Sequence, residues 1–123
     1  PGDVRPGLRI HRFQVVAGVM PGEYRYNLVL TQLKHNDHHV SGVAEWNIVG
    51  SLNGEPAELG LADVTRPPVQ QLKFKFRYFQ DLAGTLHLPD GFEAKKVALV
   101  IKPEGKGNPQ PVEQEYDWPD HGP

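Results

Sequence analysis

Residues 34–42 read KHNDHHVSG and place three of the chain's six histidines, with Asp37, inside five positions. Imidazole nitrogens and carboxylate oxygens are zinc ligands, and a zinc site needs three or four of them converging at roughly 2.0–2.2 Å. An extended backbone sends neighbouring side chains to opposite faces. His38 and His39 therefore diverge, and His35 with Asp37, or Asp37 with His39, supplies only two ligands. His35, Asp37 and His39 are the candidate metal set, and their spacing falls short of a complete site. A metal-dependent enzyme would need three of His11, His35, Asp37, His38, His39 and His87 brought together. Asn36–Asp37 is favoured turn chemistry, so the stretch is expected to be a solvated hairpin tip. A pH switch needs buried or carboxylate-paired imidazoles, which a loop tip seldom supplies.

Other chemistries find less support. Ser41 and Ser51 are the only serines, and neither lies in a GxSxG setting with a following helix. Cysteine is absent, which removes disulfides, thiolate catalysis and cysteine zinc sites. Glu55, Glu58 and Asp63 read as a solvated edge, and EGKGNP lacks the GxxxxGK[ST] pattern of a phosphate loop. No catalytic residue and no cofactor is expected. KFKFRYF interleaves aromatics and cations, but alternation puts them on opposite faces, whereas a nucleic-acid stacking platform needs them on one.

The elements that would position these residues read as strands. The chain has 123 residues and a net charge of −2, enough for one domain and no general attraction to nucleic acid or anionic lipid. No apolar run approaches the roughly 18 residues of a membrane span. Thirteen glycines and twelve prolines are scattered between short apolar segments, the punctuation of an all-β chain. LRIHRFQVVA alternates with a parity slip near His11–Arg12 that suits a bulge. EYRYNLVLTQL and HVSGVAEWNIVGSL alternate cleanly, and Asn53–Gly54 marks a type I′ hairpin turn before a short strand, EPAELGL. ADVTRPPV is a connector. QLKFKFRYF, DLAGTLHL, EAKKVALVIKP and VEQEYDW complete about eight strands. The expected fold is an antiparallel β-sandwich with Greek-key or meander connections and no substantial helix, spanning residues 1–123 with flexible tails at 1–7 and 119–123.

The outward face of 71–79 is basic (Lys73, Lys75, Arg77) and that of 112–118 is acidic (Glu113, Glu115, Asp117), so these strands are expected side by side. Phe79 breaks the parity of its strand, which makes Tyr78–Phe79 the expected exposed apolar pair. Lys73, Lys75, Arg77, Tyr78 and Phe79 are the candidate interaction residues. Tyr24, Tyr26, Trp46, Tyr78, Phe79, Tyr116 and Trp118 offer a second reading, a ligand or glycan groove, though most suit a core.

The progression YRYNLVLTQ, VSGVAEWNIVGSLNG, LKFKFRYFQDLAGTLHLPDGFEAKKVALVIKP and EYDW resembles the C-terminal domain of an uncharacterised proteobacterial family of single-pass membrane proteins. FKFRYFQDLAGTLHLPDGF is its most specific piece. The resemblance implies an N-terminal membrane helix, then a coiled coil, with this domain on the periplasmic side of the inner membrane. It also implies a possible homodimer through the coiled coil. The opening PGDVRPG, without an initiator methionine, fits a piece of such a longer chain. The function expected is a non-enzymatic module that docks another cell-envelope protein, touching no nucleic acid and meeting the membrane only through its anchor. The alternative is a small-ligand or glycan-binding sandwich.

Overall fold

The computed structural model describes residues 7–33, 38–105 and 110–119. Eight strands, β1 (Gly7–Ala17), β2 (Glu23–Leu33), β3 (Val40–Leu52), β4 (Glu55–Gly60), β5 (Leu72–Phe76), β6 (Phe79–His87), β7 (Phe92–Glu104) and β8 (Val112–Asp117), form two antiparallel sheets. One sheet has the order β1-β2-β6. The other runs β4-β3-β7-β8, with β5 also paired to β3. The all-β sandwich read from alternation is the observed architecture.

Period-two hydrophobicity sets the inner faces. Val15, Tyr24, Tyr26, Leu28, Leu30 and Leu86 of the smaller sheet are buried against Val40, Ala44, Trp46, Ile48, Val97, Leu99 and Ile101 of the larger. Aromatic contacts bridge the two layers. Phe13 lies 5.7 Å from Trp46 and 5.1 Å from Tyr116, Tyr26 4.8 Å from Trp46, and Tyr24 5.0 Å from Trp118, centroid to centroid. Offset and edge-to-face rings at these separations stabilise beyond the area they bury.

Local signals hold in detail. The β1–β2 register shifts between Ile10 and Arg12, which places a bulge at His11. Asn53 and Gly54 both have positive φ, as a type I′ turn requires, and the β3–β4 ladder closes directly on them. Gly7, read as part of a tail, instead opens β1 opposite Leu33. Residues 1–6 and 120–123 of the expected tails lie outside the described residues.

One helical turn, α1 (Leu61–Val64), takes the last residue of EPAELGL and the start of the ADVTRPPV connector, which the alternation did not signal. Asp63 accepts from the Gly60 N–H at 2.8 Å, and the Thr65 hydroxyl donates to the Leu61 carbonyl at 2.9 Å. Leu61 and Val64 are buried in the main core. The excursion lets β4 and β5 lie end to end along one side of β3, opposite residues 47–52 and 40–44.

Three expectations about neighbours are corrected. First, β2 and β3 do not pair with each other but lie in different sheets, and residues 34–37 of the expected hairpin tip lie outside the described residues. Second, 71–79 is not one strand. It ends at Phe76 in the larger sheet, turns a corner at Arg77–Tyr78, and restarts at Phe79 in the smaller sheet. That corner accounts for the parity break at Phe79.

Third, Lys75 and Glu115 share a sheet but sit at its opposite edges, with β3 and β7 between them. The acidic strand is answered by β7 instead: Lys96 lies 2.9 Å from Asp117 and 3.8 Å from Glu115. The Asp117 carboxylate, hydrogen-bonded to it, raises the Lys96 pKa, with Glu115 adding to the field. Exposed charges in water attract too weakly to choose a strand's neighbour. A double-mutant cycle on Lys96 and Asp117 is expected to show coupling at low salt that fades in molar salt. The same cycle on Lys75 and Glu115 is expected to show none.

Candidate interaction edge

The five candidate interaction residues do not form one strip. Lys73 and Lys75 lie exposed on the outer face of β5, Arg77 and Tyr78 form the corner, and Phe79 opens β6. Tyr78 is 56% exposed and Phe79 65%. The Arg77 guanidinium stacks over the Tyr78 ring at 5.4 Å.

Gln32, near the end of β2, fixes this corner. Its main-chain N–H donates to the Tyr78 carbonyl at 3.0 Å, and its side-chain amide donates to the carbonyls of Arg77 at 2.9 Å and His38 at 2.8 Å. From the other side, the Gln80 side-chain oxygen accepts from the Lys75 N–H at 2.8 Å. Two aromatic rings are thus held outward on a corner tied to three segments. Sequence reading missed Gln32, because its partners are main-chain carbonyls remote in the chain.

The corner leads into a free edge. Gln32 with Tyr78, and Gly22 with Leu88, mark hydrogen-bonded pairs at the two ends of the β2–β6 register. Such pairs recur every second residue in an antiparallel ladder. Gln80, Leu82, Gly84 and Leu86 therefore direct their main-chain groups at β2. Phe79, Asp81, Ala83, Thr85 and His87 direct theirs to the open side, where no hydrogen bond reaches them among the described residues.

Every other edge carries a feature that blocks pairing, as sheets need against unwanted partners. β1 has the His11 bulge, with Arg9 and Arg12 beside it. β4 has Pro56 between Glu55 and Glu58. β5 is five residues long, carries Lys73 and Lys75, and has its outward N–H at Lys75 already occupied by Gln80. In β8, the Trp118–Lys95 hydrogen bond sets the alternation so that Glu113, Glu115 and Asp117 face outward. β6 offers nine residues without bulge, proline or lysine, and its one carboxylate, Asp81, accepts a hydrogen bond from Asn27.

A second apolar surface, not anticipated from VMPGEY, is the β1–β2 turn. Val19 is 90% exposed and Met20 64%, with Val16 alongside. The Glu23 carboxylate holds this turn by accepting from the N–H groups of Val19 at 3.0 Å and Met20 at 3.1 Å. The Met20 N–H is the main cause of a lowered Glu23 pKa; the Val19 N–H, His87 and Arg25 act the same way. A lowered folded pKa stabilises above the ordinary value of 4.5 and loses that stabilisation as pH falls through the folded value. The protection of the Val19 and Met20 amides, taken relative to their intrinsic exchange rates, is expected to fall on acidification below 4.5, and Glu23→Gln to abolish that pH dependence.

Of the metal candidates, His35 and Asp37 lie outside the described residues, and His39 is exposed just before β3. Among the described residues, no three histidine, aspartate or glutamate side chains form a group that could hold a metal. The aromatics named for a ligand groove are mostly interior: Tyr24, Tyr26, Trp46 and Trp118 are buried. The cavity lined by Phe13, Val15, Val97 and Tyr116 measures about 170 Å³, below the roughly 300 Å³ at which ligand pockets begin. A depression of about 300 Å³ lined by Glu45, Asn47, Asp63 and Gln70 holds no exposed aromatic, and Glu45 in it is engaged by Lys102 and Gln71. An open one of about 380 Å³ meets Tyr24 and Phe92 at the end of β7, where Tyr24 is buried.

The family described as "Family of unknown function (DUF6776)" matches residues 1–99. The chain belongs to this family. The match takes in β1 to β6 and most of β7, including the corner and the open edge, and leaves β8 outside. No curated protein and no solved structure matches the chain. No helix among the described residues of this DUF6776 domain is long and apolar enough to cross a membrane.

Proposed function

We propose that this DUF6776 domain is a non-enzymatic interaction module that captures an extended segment of a cell-envelope protein by adding it as a strand to β6. The observation that carries the reading is the β6 edge: nine residues long, the one unguarded edge among the described strands, and headed by the exposed Tyr78–Phe79 pair. Main-chain hydrogen bonds to Phe79, Asp81, Ala83, Thr85 and His87 supply affinity, and the aromatic corner supplies selectivity. Lys73 and Lys75 on the neighbouring β5 give the approach a positive rim. The sequence resemblance supports placing the domain on the periplasmic side of a proteobacterial inner membrane, held there by a membrane helix and coiled coil.

A photo-crosslinking residue at Phe79 in the intact envelope tests this, with the same probe at Glu55 on β4 as control. A discrete adduct at position 79 and none at position 55 is the expected result. No adduct at 79, or the same set of adducts at both, overturns the reading.

A further inference from the structure

Resting on that reading, we propose that the segment added to β6 is β6 of a second copy of this chain, giving a two-fold dimer with one continuous six-stranded sheet. A symmetric pairing must be antiparallel, because a two-fold axis reverses strand direction. It must also bring together residues whose main-chain groups face the open side. Matching all nine residues puts Ala83 on the axis, opposite Ala83 of the other copy. Asp81 then faces Thr85, and Phe79 faces His87.

This register is self-complementary. The small Ala83 side chains meet at the axis, the Asp81 carboxylate meets a hydroxyl donor, and an aromatic ring meets an imidazole at each end. No like charges stand opposite one another, which cross-strand pairing requires. Moving the axis to Asp81 would set two carboxylates face to face and shorten the ladder. The other edges fail the same test. β8 against itself would align Glu113, Glu115 and Asp117 with each other, and β1 is interrupted by its bulge.

A nine-residue ladder belongs to the small, exchanging class of interfaces, below about 1,200 Å² in total. The dimer is therefore expected to be concentration-dependent. In sedimentation equilibrium between about 10 µM and 1 mM, a range suited to that class, the mass should climb from 13.7 kDa toward twice that value. Ala83→Lys places two ammonium groups at the axis and should hold the mass at 13.7 kDa throughout. Ala83 is exposed, so the near-ultraviolet signal of Trp46 and Trp118 should be unchanged in this variant.

The absence of cysteine gives a second readout. Facing residues of a hydrogen-bonded pair lie about 5.5 Å apart at Cα, inside the roughly 4.4–6.8 Å that a disulfide spans. Under mild oxidation Ala83→Cys should form covalent dimers many times faster than Glu58→Cys on β4. A wild-type mass that stays monomeric across the range overturns the proposal. So does a dimer that survives Ala83→Lys, or equal crosslinking at positions 83 and 58. If self-pairing fails while the Phe79 probe still captures a different envelope protein, the interaction-module reading stands with another partner. If both fail, both fall.

Discussion

Trp46→Ala is expected to cost about 3–5 kcal/mol, the range for removing a large aromatic from a packed core. Domains have only about 5–15 kcal/mol in total, so the midpoint of urea unfolding, which scales with stability, should drop by at least about a fifth. Trp46 is 2% exposed and lies at the centre of β3, the strand that pairs with β4, β5 and β7. Its ring meets Phe13 of β1 and Tyr26 of β2, so it joins the two sheets at one point. The indole N–H finds no acceptor among the described residues. Trp46→Phe therefore removes an unsatisfied donor along with some volume, and leaving such a donor buried costs roughly 1–3 kcal/mol. Its cost should be well under half that of alanine. Equal losses for the two variants, or a loss below about 1 kcal/mol for alanine, which is the ordinary scale of point substitutions, would remove Trp46 from this role.

Gly50→Ala is the second large effect, and it arises from backbone proximity. Val49 pairs with Lys96 and Gly50 with Ala94, so Lys95 is an extra residue bulged out of β7. The Lys95 carbonyl accepts from the Trp118 N–H at 2.8 Å, which ties the bulge to the end of β8. A Cβ on Gly50 would overlap the Glu93 carbonyl oxygen and sit 2.9 Å from its carbon and 3.0 Å from the Ala94 Cα. These are main-chain atoms in the middle of the sheet, with no flexible side chain to yield. Overpacking of this kind costs about 1–3 kcal/mol, and sometimes more. The strain should travel to β8 and speed amide exchange at Trp118. At Gly60 an added Cβ meets only Asn47 at 3.6 Å and Asp63 at 3.7 Å, ordinary contacts. Gly60→Ala should cost well under half as much and leave Trp118 protected. Equal effects at the two glycines would place the cause in backbone entropy, not in the clash.

Two of the three corrected neighbour assignments share a physical origin. Lys73, Lys75 and Arg77 matched Glu113, Glu115 and Asp117 in number and spacing, yet Asp117 and Glu115 pair with Lys96. Charge matching between solvated faces allows many partners, because each exposed pair contributes so little. Residues 34–42 looked like a hairpin tip because turn residues signal a change of direction. They do not say whether the next strand rejoins the same sheet.

The sequence by itself determined what is local. Alternation marked most of the strands and their buried faces, the slip at His11 marked the bulge, and Asn53–Gly54 marked the turn. The parity break at Phe79 marked the place where an aromatic pair emerges. Each of these depends on side-chain direction or on allowed φ over a few residues. Only the tertiary structure decided which sheet each strand joins, that the chain changes sheets at Arg77–Tyr78, that Gln32 clamps that corner, and that β6 is left as an open edge. Those outcomes depend on how two apolar faces pack across a layer about 10 Å thick. That packing joins residues far apart in the chain and leaves no periodic mark in the sequence.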